Sequence, residues 1–353
     1  MNWESLDWEV LDRLRETFLS AARTAGPYWH TITDLECYDF TFGERIGWKW
    51  DAVLAELKLR GWSPPPGTTV LDWGCGSGIA GRRVVDFFGA ASFSALRLSD
   101  HSPLAMDFAE HRARQLFPGL PTGRAATDGP IGVLVISHVL NELDEPARTE
   151  LRALAARAET ILWVEPGTHE VSRALGGWRE KLGASLQVVA PCTHRATCGV
   201  LAAGNERHWC HFFAAPPAGV YADSGWVKFG QRAGIDLRSL PYSFLVLDRR
   251  NITEPAGFAR VIGDQPSPRL RPTGPRLDQG APEKGYARII GEPRLYKGYA
   301  KIFSCAADGV ADLTLQKRDA PEIFKALKHA SEPMIYRWTR HGDRVSAVEA
   351  RFP

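Results

Sequence analysis

Three glycines at alternate positions follow a short apolar run, and they constrain the fold of this 353-residue chain more than any other stretch. The segment reads TVLDWGCGSG from Thr69 to Gly78, so Asp72 is followed by Gly74, Gly76 and Gly78. Glycines tolerate the backbone of a sharp strand-to-helix turn and leave space for a ligand near the N–H groups of the coming helix. The spacing D-x-G-x-G-x-G differs from the G-x-G-x-x-G of dinucleotide binders. It predicts a nucleoside pocket with Asp72, Gly74, Gly76 and Gly78 as candidate cofactor-binding residues, and the alternative is a plain strand-to-helix turn.

The glycine motif resembles the first motif of the class I S-adenosylmethionine-dependent methyltransferases, and strands alternate with helices after it. Fully apolar runs at 131–136 and 161–164 are typical of strands buried in a parallel sheet. We therefore expect an α/β fold: a class I methyltransferase (Rossmann-like), mostly parallel sheet with helices on both faces. The predicted divisions are a helical N-terminal extension (1–63), a methyltransferase-like domain with a cysteine block (64–250, with 190–212), and a basic loop with a small C-terminal β subdomain and tail (251–353). Further helices are predicted at 3–24, 44–60, 79–88, 103–116 and 147–158, and further strands at 93–98, at 243–247 and, as two or three strands, over 286–318.

Composition excludes several classes of protein. Lys and Arg number 43 against 41 Asp and Glu, a net charge of +2, so any contact with nucleic acid must come from a local patch. Hydrophobic residues make up 44% of the chain, enough for a core, yet no apolar run approaches the length of a membrane span. The acidic N-terminal segment argues against a transit peptide. We expect a cytoplasmic protein, in which the six cysteines do not form disulfides.

Acidic residues near the ends of the following strands are candidate cofactor ligands. Asp100 lies 22 residues after the last glycine of the motif, close to the spacing of about 20 expected for a ribose-binding acid; capping the next helix is the alternative. Asp128 follows a weak third strand and could face the adenine amino group, although an Asp-Gly pair is also ordinary turn chemistry. His138 and Asn141 could orient an acceptor, with structural roles as the alternative. No catalytic residue is assigned, because the N-P-P-Y or D-P-P-Y sequence that grips exocyclic base nitrogens is absent.

Three of the six cysteines, Cys192, Cys198 and Cys210, fall within 19 residues. Thiolates bind soft metals and iron–sulfur clusters, and the spacing C-x5-C-x11-C is not the paired C-x2-C of common zinc folds. A fourth ligand is needed, for which Cys305 is the distant candidate and His194, His208 and His211 are the local ones. Spacing alone favours zinc modestly, whereas four thiolates admit either zinc or a cluster. Two alternatives stay open: Pro191-Cys192 resembles the Pro-Cys pair of cytosine-C5 RNA methyltransferases, or the cysteines are buried apolar residues.

The glycine loop and the cysteine block together resemble the methyltransferase-like small-ribosomal-subunit proteins of mitochondria and bacteria, which act in mitoribosome assembly. The similarity covers roughly residues 40–318, with matches at 70–78, 139–143, 165–167, 189–192, Cys198, 209–212, Cys305, 308–309 and Lys317. The resemblance implies a [4Fe–4S] cluster on Cys192, Cys198, Cys210 and Cys305, with zinc as the alternative, and S-adenosylmethionine at Gly74, Gly76, Gly78 and Asp100. It also implies binding to small-subunit ribosomal RNA or to the small subunit. The acidic N-terminus departs from the mitochondrial members and indicates a bacterial-type relative.

Residues 269–301 carry eight Lys or Arg against three Asp or Glu, with three tyrosines interleaved. Such a mixture suits phosphate contact and base stacking, so Arg271, Arg276 and Lys297 are candidate RNA ligands. A solvated loop with an edge strand is the alternative. The sequence therefore predicts an S-adenosylmethionine-binding, iron–sulfur-containing factor of the ribosomal small subunit. An active rRNA methyltransferase and a small-molecule methyltransferase with a structural zinc site are the other two functions considered.

Overall fold

The computed structural model describes residues 1–20, 28–125, 129–252, 285–328 and 333–350. Asp128, Arg271 and Arg276 lie outside these residues, as does nearly all of the predicted basic loop, so the roles assigned to them stay predictions. None of the described helices combines the length and the apolar character that crossing a bilayer would require.

Among the described residues, three α-helices precede the sheet, and local capping sets where two of them begin. α1 (Trp8–Leu19) begins after Asp7, whose carboxylate accepts hydrogen bonds from the next N–H groups at 3.0 and 3.2 Å, so this helix is shorter than the predicted 3–24. α2 (Ile32–Tyr38), which the sequence analysis did not predict, begins at a capping box formed by Thr31 and Asp34. α3 (Glu44–Leu59) agrees with the predicted helix over 44–60 and buries one face against the rest of the chain.

The central sheet has eight strands in the order β3-β2-β1-β4-β5-β8-β6, with β7 paired to β8. Strands β1 to β5 pair in parallel, while β8 runs antiparallel to β5, β6 and β7. The predicted class I methyltransferase, Rossmann-like fold is thereby confirmed. Its strands are β1 (Thr68–Trp73), β2 (Phe93–Ser99), β3 (Thr122–Arg124), β4 (Ile131–Ser137), β5 (Ala158–Pro166), β6 (Gln187–Ala190), β7 (Phe212–Ala214) and β8 (Leu240–Asp248), and its helices are α4 (Ile79–Phe88), α5 (Pro103–Leu116), α6 (Glu145–Arg157), α7 (His169–Leu182) and α8 (Ser224–Ala233).

Burial explains why the central strands are apolar throughout. Val133, Leu134, Val135 and Ile136 of β4 are fully buried, because helices cover both faces of the sheet. Strand order reverses between β1 and β4, and ligands of such sheets bind at the carboxyl ends of strands beside that reversal. The glycine loop follows β1 at this point.

A second, smaller sheet forms the C-terminal β subdomain. It contains β9 (Ala287–Ile289), β10 (Arg294–Leu295), β11 (Tyr299–Ala306), β12 (Gly309–Gln316), α9 (Pro321–Ala326), β13 (Ile335–His341) and β14 (Arg344–Ala350). Residues 286–318 thus hold four strands, rather than the two or three predicted. Strand β9 pairs with both β11 and β13, and β12 pairs with β14, so five of the six strands close into a barrel.

Candidate cofactor site and cysteine cluster

The glycine loop makes the sharp turn that the sequence predicts. Gly74, Gly76 and Gly78 all have positive φ, of 67°, 51° and 77°, a backbone conformation that residues with a Cβ rarely adopt. A Cβ on Gly74 would lie 2.7 Å from the side chain of Val139, and one on Gly78 would lie 2.8 Å from Cβ of Ala109. Two of the three glycines are therefore needed for the close packing of the loop against its neighbours.

Gly76 faces open space, and Asp100 holds it in place. A Cβ on Gly76 would meet no atom within 4 Å, and the residue lines a cavity. The Asp100 carboxylate accepts hydrogen bonds from the N–H groups of Gly76 at 2.8 Å and Ser102 at 2.9 Å. Ser102 in turn caps α5 by accepting from the Ala105 N–H at 3.3 Å. Asp100 thus lies at the cavity wall, as expected, and it also fixes the loop on which a ligand would lie.

Asp72 differs from its predicted role as a direct cofactor ligand. It is fully buried, and its Oδ2 accepts a hydrogen bond from the Gly81 N–H at 2.9 Å. Burial raises the pKa of Asp72 to about 7, against the lowering effects of that N–H and of Arg82. Neither Asp72 nor Gly78 is among the residues that line the cavity. Both residues support the glycine loop on the side away from the cavity, because Asp72 anchors the first turn of α4 and Gly78 packs on α5.

The cavity beside the glycine loop has a volume of about 770 Å³. This lies within the range of about 300–1,000 Å³ that is usual for ligand pockets. Its walls come from the glycine loop, the ends of β2 and β4, and helices of the N-terminal extension. A space of this size, bounded by glycine backbone and left open above Gly76, fits a nucleoside-containing ligand. The aromatic and charged residues of the wall include Tyr38, Phe42, Arg45, Lys49, Trp73, His138 and Glu142.

A basic cluster on this wall was not predicted from the sequence. The Lys49 Nζ lies 3.1 Å from Nε2 of His138, a residue that has a positive φ of 57°. Burial and the neighbouring Arg45 lower the pKa of Lys49 to about 7. Burial and Lys49 in turn hold the pKa of His138 well below its ordinary value. Among the described residues, the buried Nε of Arg45 has no hydrogen-bond partner. The cluster therefore brings hydrogen-bond donors to a cavity whose wall also carries the acidic residues Asp100, Glu142, Asp144 and Glu150.

Glu165 lies beneath the turn after β4 and positions that turn. Its Oε1 accepts hydrogen bonds from the N–H groups of Val139 and Leu140, both at 3.2 Å, and from Trp163 Nε1 at 2.7 Å. Burial raises the pKa of Glu165 to about 7, although these three donors oppose the change. The Glu165 carboxylate thus holds the turn that contains His138, and the next residue, Pro166, lines the cavity.

The four predicted cysteine ligands come together from distant parts of the chain. Cys192 follows β6, Cys198 and Cys210 lie in the irregular segment before β7, and Cys305 lies on β11. Burial raises the pKa of the Cys192 thiol, and Cys198 raises it further. Burial likewise raises the pKa of Cys210 and of Cys305, and in both cases the neighbouring cysteines add to the effect. Four thiols that interact in this way are a donor set suited to a soft metal or an iron–sulfur cluster.

The four thiols and the side chains around them do not have the geometry of a formed metal site in the described residues. Within the described residues, no three His, Cys, Asp or Glu side chains have an arrangement that would hold a metal ion. Of the histidines proposed as local ligands, His194 is near a thiol, with its Nε2 3.6 Å from Sγ of Cys305. His208 instead stacks on Phe303 and His211 on Trp209, with ring centroids 4.2 and 4.7 Å apart. The metal and the cluster therefore remain proposals.

Buried arginines hold the loop that carries Cys192. Arg60 donates to the carbonyls of Val189, Pro191 and Cys192 at 2.8, 2.9 and 3.3 Å. Glu56 on α3 accepts hydrogen bonds from Arg60 and from Arg288 of β9. Arg288 is one of the eight basic residues counted in the segment 269–301, but its guanidinium is buried against Glu56 and is not available to RNA. Lys297, in contrast, is exposed between β10 and β11, as an RNA-binding residue must be.

A family model described as "Mitochondrial small ribosomal subunit Rsm22" matches residues 124–333, a range that contains all four clustered cysteines. No curated protein matches the chain. Among solved structures, magnesium protoporphyrin IX methyltransferase from Synechocystis PCC 6803 with bound SAM is 15% identical, covering 70% of this chain and 99% of that chain with a TM-score of 0.36. A SAM-dependent methyltransferase from Aquifex aeolicus is 16% identical and covers 45% of this chain and 90% of that chain, with a TM-score of 0.34.

Proposed function

Because the chain belongs to the family described as mitochondrial small ribosomal subunit Rsm22, we propose that it is a methyltransferase-like factor of the ribosomal small subunit that binds S-adenosylmethionine and an iron–sulfur cluster. The proposal is supported by the proximity of Cys305 to Cys192, Cys198 and Cys210, which belong to a distant segment of the chain. The same chain has a cavity beside its glycine loop. We propose that this factor acts in the cytoplasm.

S-adenosylmethionine would lie against the glycine loop, and when bound it supplies an electrophilic methyl group. The residues of the chain then have separate tasks. Gly76 leaves the cavity open, and Asp100 fixes the loop through the Gly76 N–H. Lys49 and Arg45 bring positive charge to the wall, which favours the carboxylate end of an amino-acid ligand.

The cluster would be held by Cys192, Cys198, Cys210 and Cys305, and zinc is the alternative metal. When bound, it supplies a covalent link between the C-terminal barrel and the sheet domain, since Cys305 belongs to the barrel. Structural metal binding contributes on the order of 10 kcal/mol to folding. Loss of one thiolate is therefore expected to loosen the C-terminal barrel as well as to release the metal.

The test of the cluster is the iron and sulfide content of anaerobically purified protein, together with its visible absorbance. We expect Cys305→Ser to lose iron and to unfold at lower denaturant concentration. Cys37→Ala is the matched control, because Cys37 is a buried cysteine of α2 that is not one of the four clustered thiols. Stoichiometric zinc without iron in the wild-type protein would overturn the cluster in favour of the zinc alternative.

The ribosomal part of the proposal is tested by co-sedimentation of the purified protein with isolated small and large subunits. We expect it to sediment with the small subunit alone. Calorimetric titration with S-adenosylmethionine tests the cofactor separately. Equal recovery with both subunits would contradict the ribosomal role, and a flat titration would contradict the cofactor.

A second candidate function is methyl transfer itself, and one observation favours it. The Lys49 amine, with a pKa of about 7, sits 3.1 Å from His138 on the cavity wall and is able to take up or release a proton near neutrality. Transfer of tritiated methyl groups into small subunits from cells that lack this protein is the test. An enzyme labels the RNA, and Lys49→Met reduces the labelling; a scaffold leaves the subunits unlabelled.

A further inference from the structure

The C-terminal barrel has a recognisable strand order. If the five strands that close the barrel, β9, β11, β12, β13 and β14, are numbered one to five, the order around the barrel is 1-2-3-5-4 and back to 1. Strands three and five pair in parallel, whereas the other neighbours are antiparallel, and α9 connects strands three and four. This is the arrangement of an OB-fold, whose second and third strands, with the loops between strands one and two and between four and five, bind oligonucleotides.

The outer face of the second barrel strand, β11, contacts the cysteine region at one end and lies beside the loop between strands one and two at the other. Ala300, Ile302 and Ser304 are buried inside the barrel, so the alternating residues between them face outward. At one end, Phe303 stacks on His208 and Cys305 faces the cysteine cluster. At the other end, the outward residues are Tyr299 and Lys301. This end meets the loop between strands one and two, which is the part of an OB-fold that contacts nucleic acid.

Two stacked tyrosines, of which Tyr296 is exposed and Tyr299 half-buried, form the tip of that loop. The rings of Tyr296 and Tyr299 are nearly parallel, with an interplanar angle of 11° and centroids 4.6 Å apart. A tight turn holds them together, because the Tyr296 N–H donates to the Tyr299 carbonyl at 2.8 Å. Tyr296 is 47% exposed, and the adjacent Leu295 is 39% exposed. Tyr296 is therefore the exposed ring of the stack, with one face against Tyr299.

Positive charge surrounds these rings. Lys297 lies within the turn, and the Lys317 N–H donates to the Gly298 carbonyl at 2.9 Å, which brings the end of β12 beside it. Lys301 is close to one acid, Asp343, at 3.6 Å. Within the part of the chain that the structure describes, Lys297 and Lys317 have no acidic partner. Lysines on an edge strand also prevent aggregation, but that role explains neither the stacked rings nor the exposure of Tyr296.

We propose that this surface, formed by Tyr296, Lys297, Tyr299, Lys301 and Lys317 and called here the tyrosine hairpin, binds an unpaired RNA strand. A base stacks on the face of Tyr296 that is turned away from Tyr299, and the lysines contact the neighbouring phosphates. A duplex is excluded as the preferred ligand, because its bases are already stacked and paired and offer no free face to the ring. That the strand belongs to ribosomal RNA rests on the proposed function.

The test uses the full-length, anaerobically purified protein and two labelled probes, an oligouridylate of about 12 nucleotides and an RNA duplex of equal length. Fluorescence anisotropy gives both affinities. We expect tighter binding of the single strand, a loss of about 5- to 150-fold for Tyr296→Ala, and little loss for Tyr296→Phe. Tyr221→Ala is the matched control, because Tyr221 is 48% exposed on the sheet domain. For Lys297→Gln, the slope of the logarithm of the binding constant against the logarithm of the salt concentration is expected to become shallower by about 0.7.

Several results would overturn the tyrosine hairpin. They are equal affinity of Tyr296→Ala and wild type for the single strand, tighter binding of the duplex, and no binding of either probe. Co-sedimentation separates this failure from failure of the proposed function. A protein that sediments with the small subunit but fails these anisotropy tests retains its ribosomal role without the hairpin. One that passes them but does not sediment retains the hairpin without that role.

Discussion

The Glu56 carboxylate lies between two buried arginines, Arg60 and Arg288, next to the loop that carries Cys192. Removing it tests whether this ion pair stabilises the cysteine loop. Its carboxylate accepts from Nε of Arg60 at 2.9 Å and from Nη2 of Arg288 at 2.8 Å. Glu56, Arg60 and Arg288 are 2%, 6% and 4% exposed. Burial alone would raise the pKa of Glu56, but Arg288 and Arg60 hold it below its ordinary value. The carboxylate is therefore ionised at neutral pH, and both guanidinium groups depend on it.

The expected effect of Glu56→Ala follows from the charges that it leaves behind. Breaking a buried ion pair by removing one partner costs about 3–5 kcal/mol, because the remaining charge is uncompensated. Proteins of this kind are stable by about 5–15 kcal/mol, so the loss is about a fifth of the total or more. Arg60 also donates to the carbonyls of Pro191 and Cys192, and its displacement loosens the cysteine loop. Iron content is therefore expected to fall together with stability.

Urea unfolding of anaerobically purified protein measures the change, with Asp51→Ala as the matched control. Asp51 lies on the same helix and pairs with Arg83 at 3.5 Å, but its side chain is half-exposed. Such pairs contribute about 0–1 kcal/mol. A double variant, Glu56→Gln with Arg288→Met, is expected to recover part of the stability, because one of the two charges is gone. The reasoning is refuted if Glu56→Ala and Asp51→Ala lower the free energy of unfolding equally.

Two further predictions concern the cavity. The pKa of Glu165 rises from 4.5 to about 7 on folding, so its contribution to stability is present below pH 4.5 and is lost as pH rises through 7, by up to about 3 kcal/mol. Glu165→Gln should reduce the pH dependence of urea unfolding in that window without abolishing it, because the pKa of Asp72 is also raised to about 7; an unchanged curve would contradict the assignment. Gly76→Val should cost about 1–2 kcal/mol of stability, because the residue has positive φ, and should weaken S-adenosylmethionine binding at least about tenfold, because the new side chain enters the cavity; calorimetry showing unchanged affinity would remove the ligand from the loop.

The sequence was sufficient to predict the sheet and the family, because both depend on local patterns. A run such as 131–136 is apolar on both faces, which a buried parallel strand requires, and the cysteine spacing lies within the segment that the family model matches. The sequence did not reveal pairings between distant residues. His138 is 89 residues from Lys49, and Arg288 is 232 residues from Glu56. Composition counts Arg288 as one more cation of a basic segment, and only the fold distinguishes a buried ion pair from a solvated charge.

One helix, α3, connects the two candidate sites. Lys49 on this helix faces the cavity, while Glu56 reaches the arginines behind the cysteine loop. An α-helix rises about 1.5 Å per residue, so these two side chains start only about 10 Å apart along the axis. The family match begins at residue 124 and leaves this helix out. A chain reduced to the matched segment would also lack β1, β2 and the glycine loop, so neither candidate site would be complete in it. The N-terminal extension is thus part of both sites, because the charges that complete them are carried on a single rigid element.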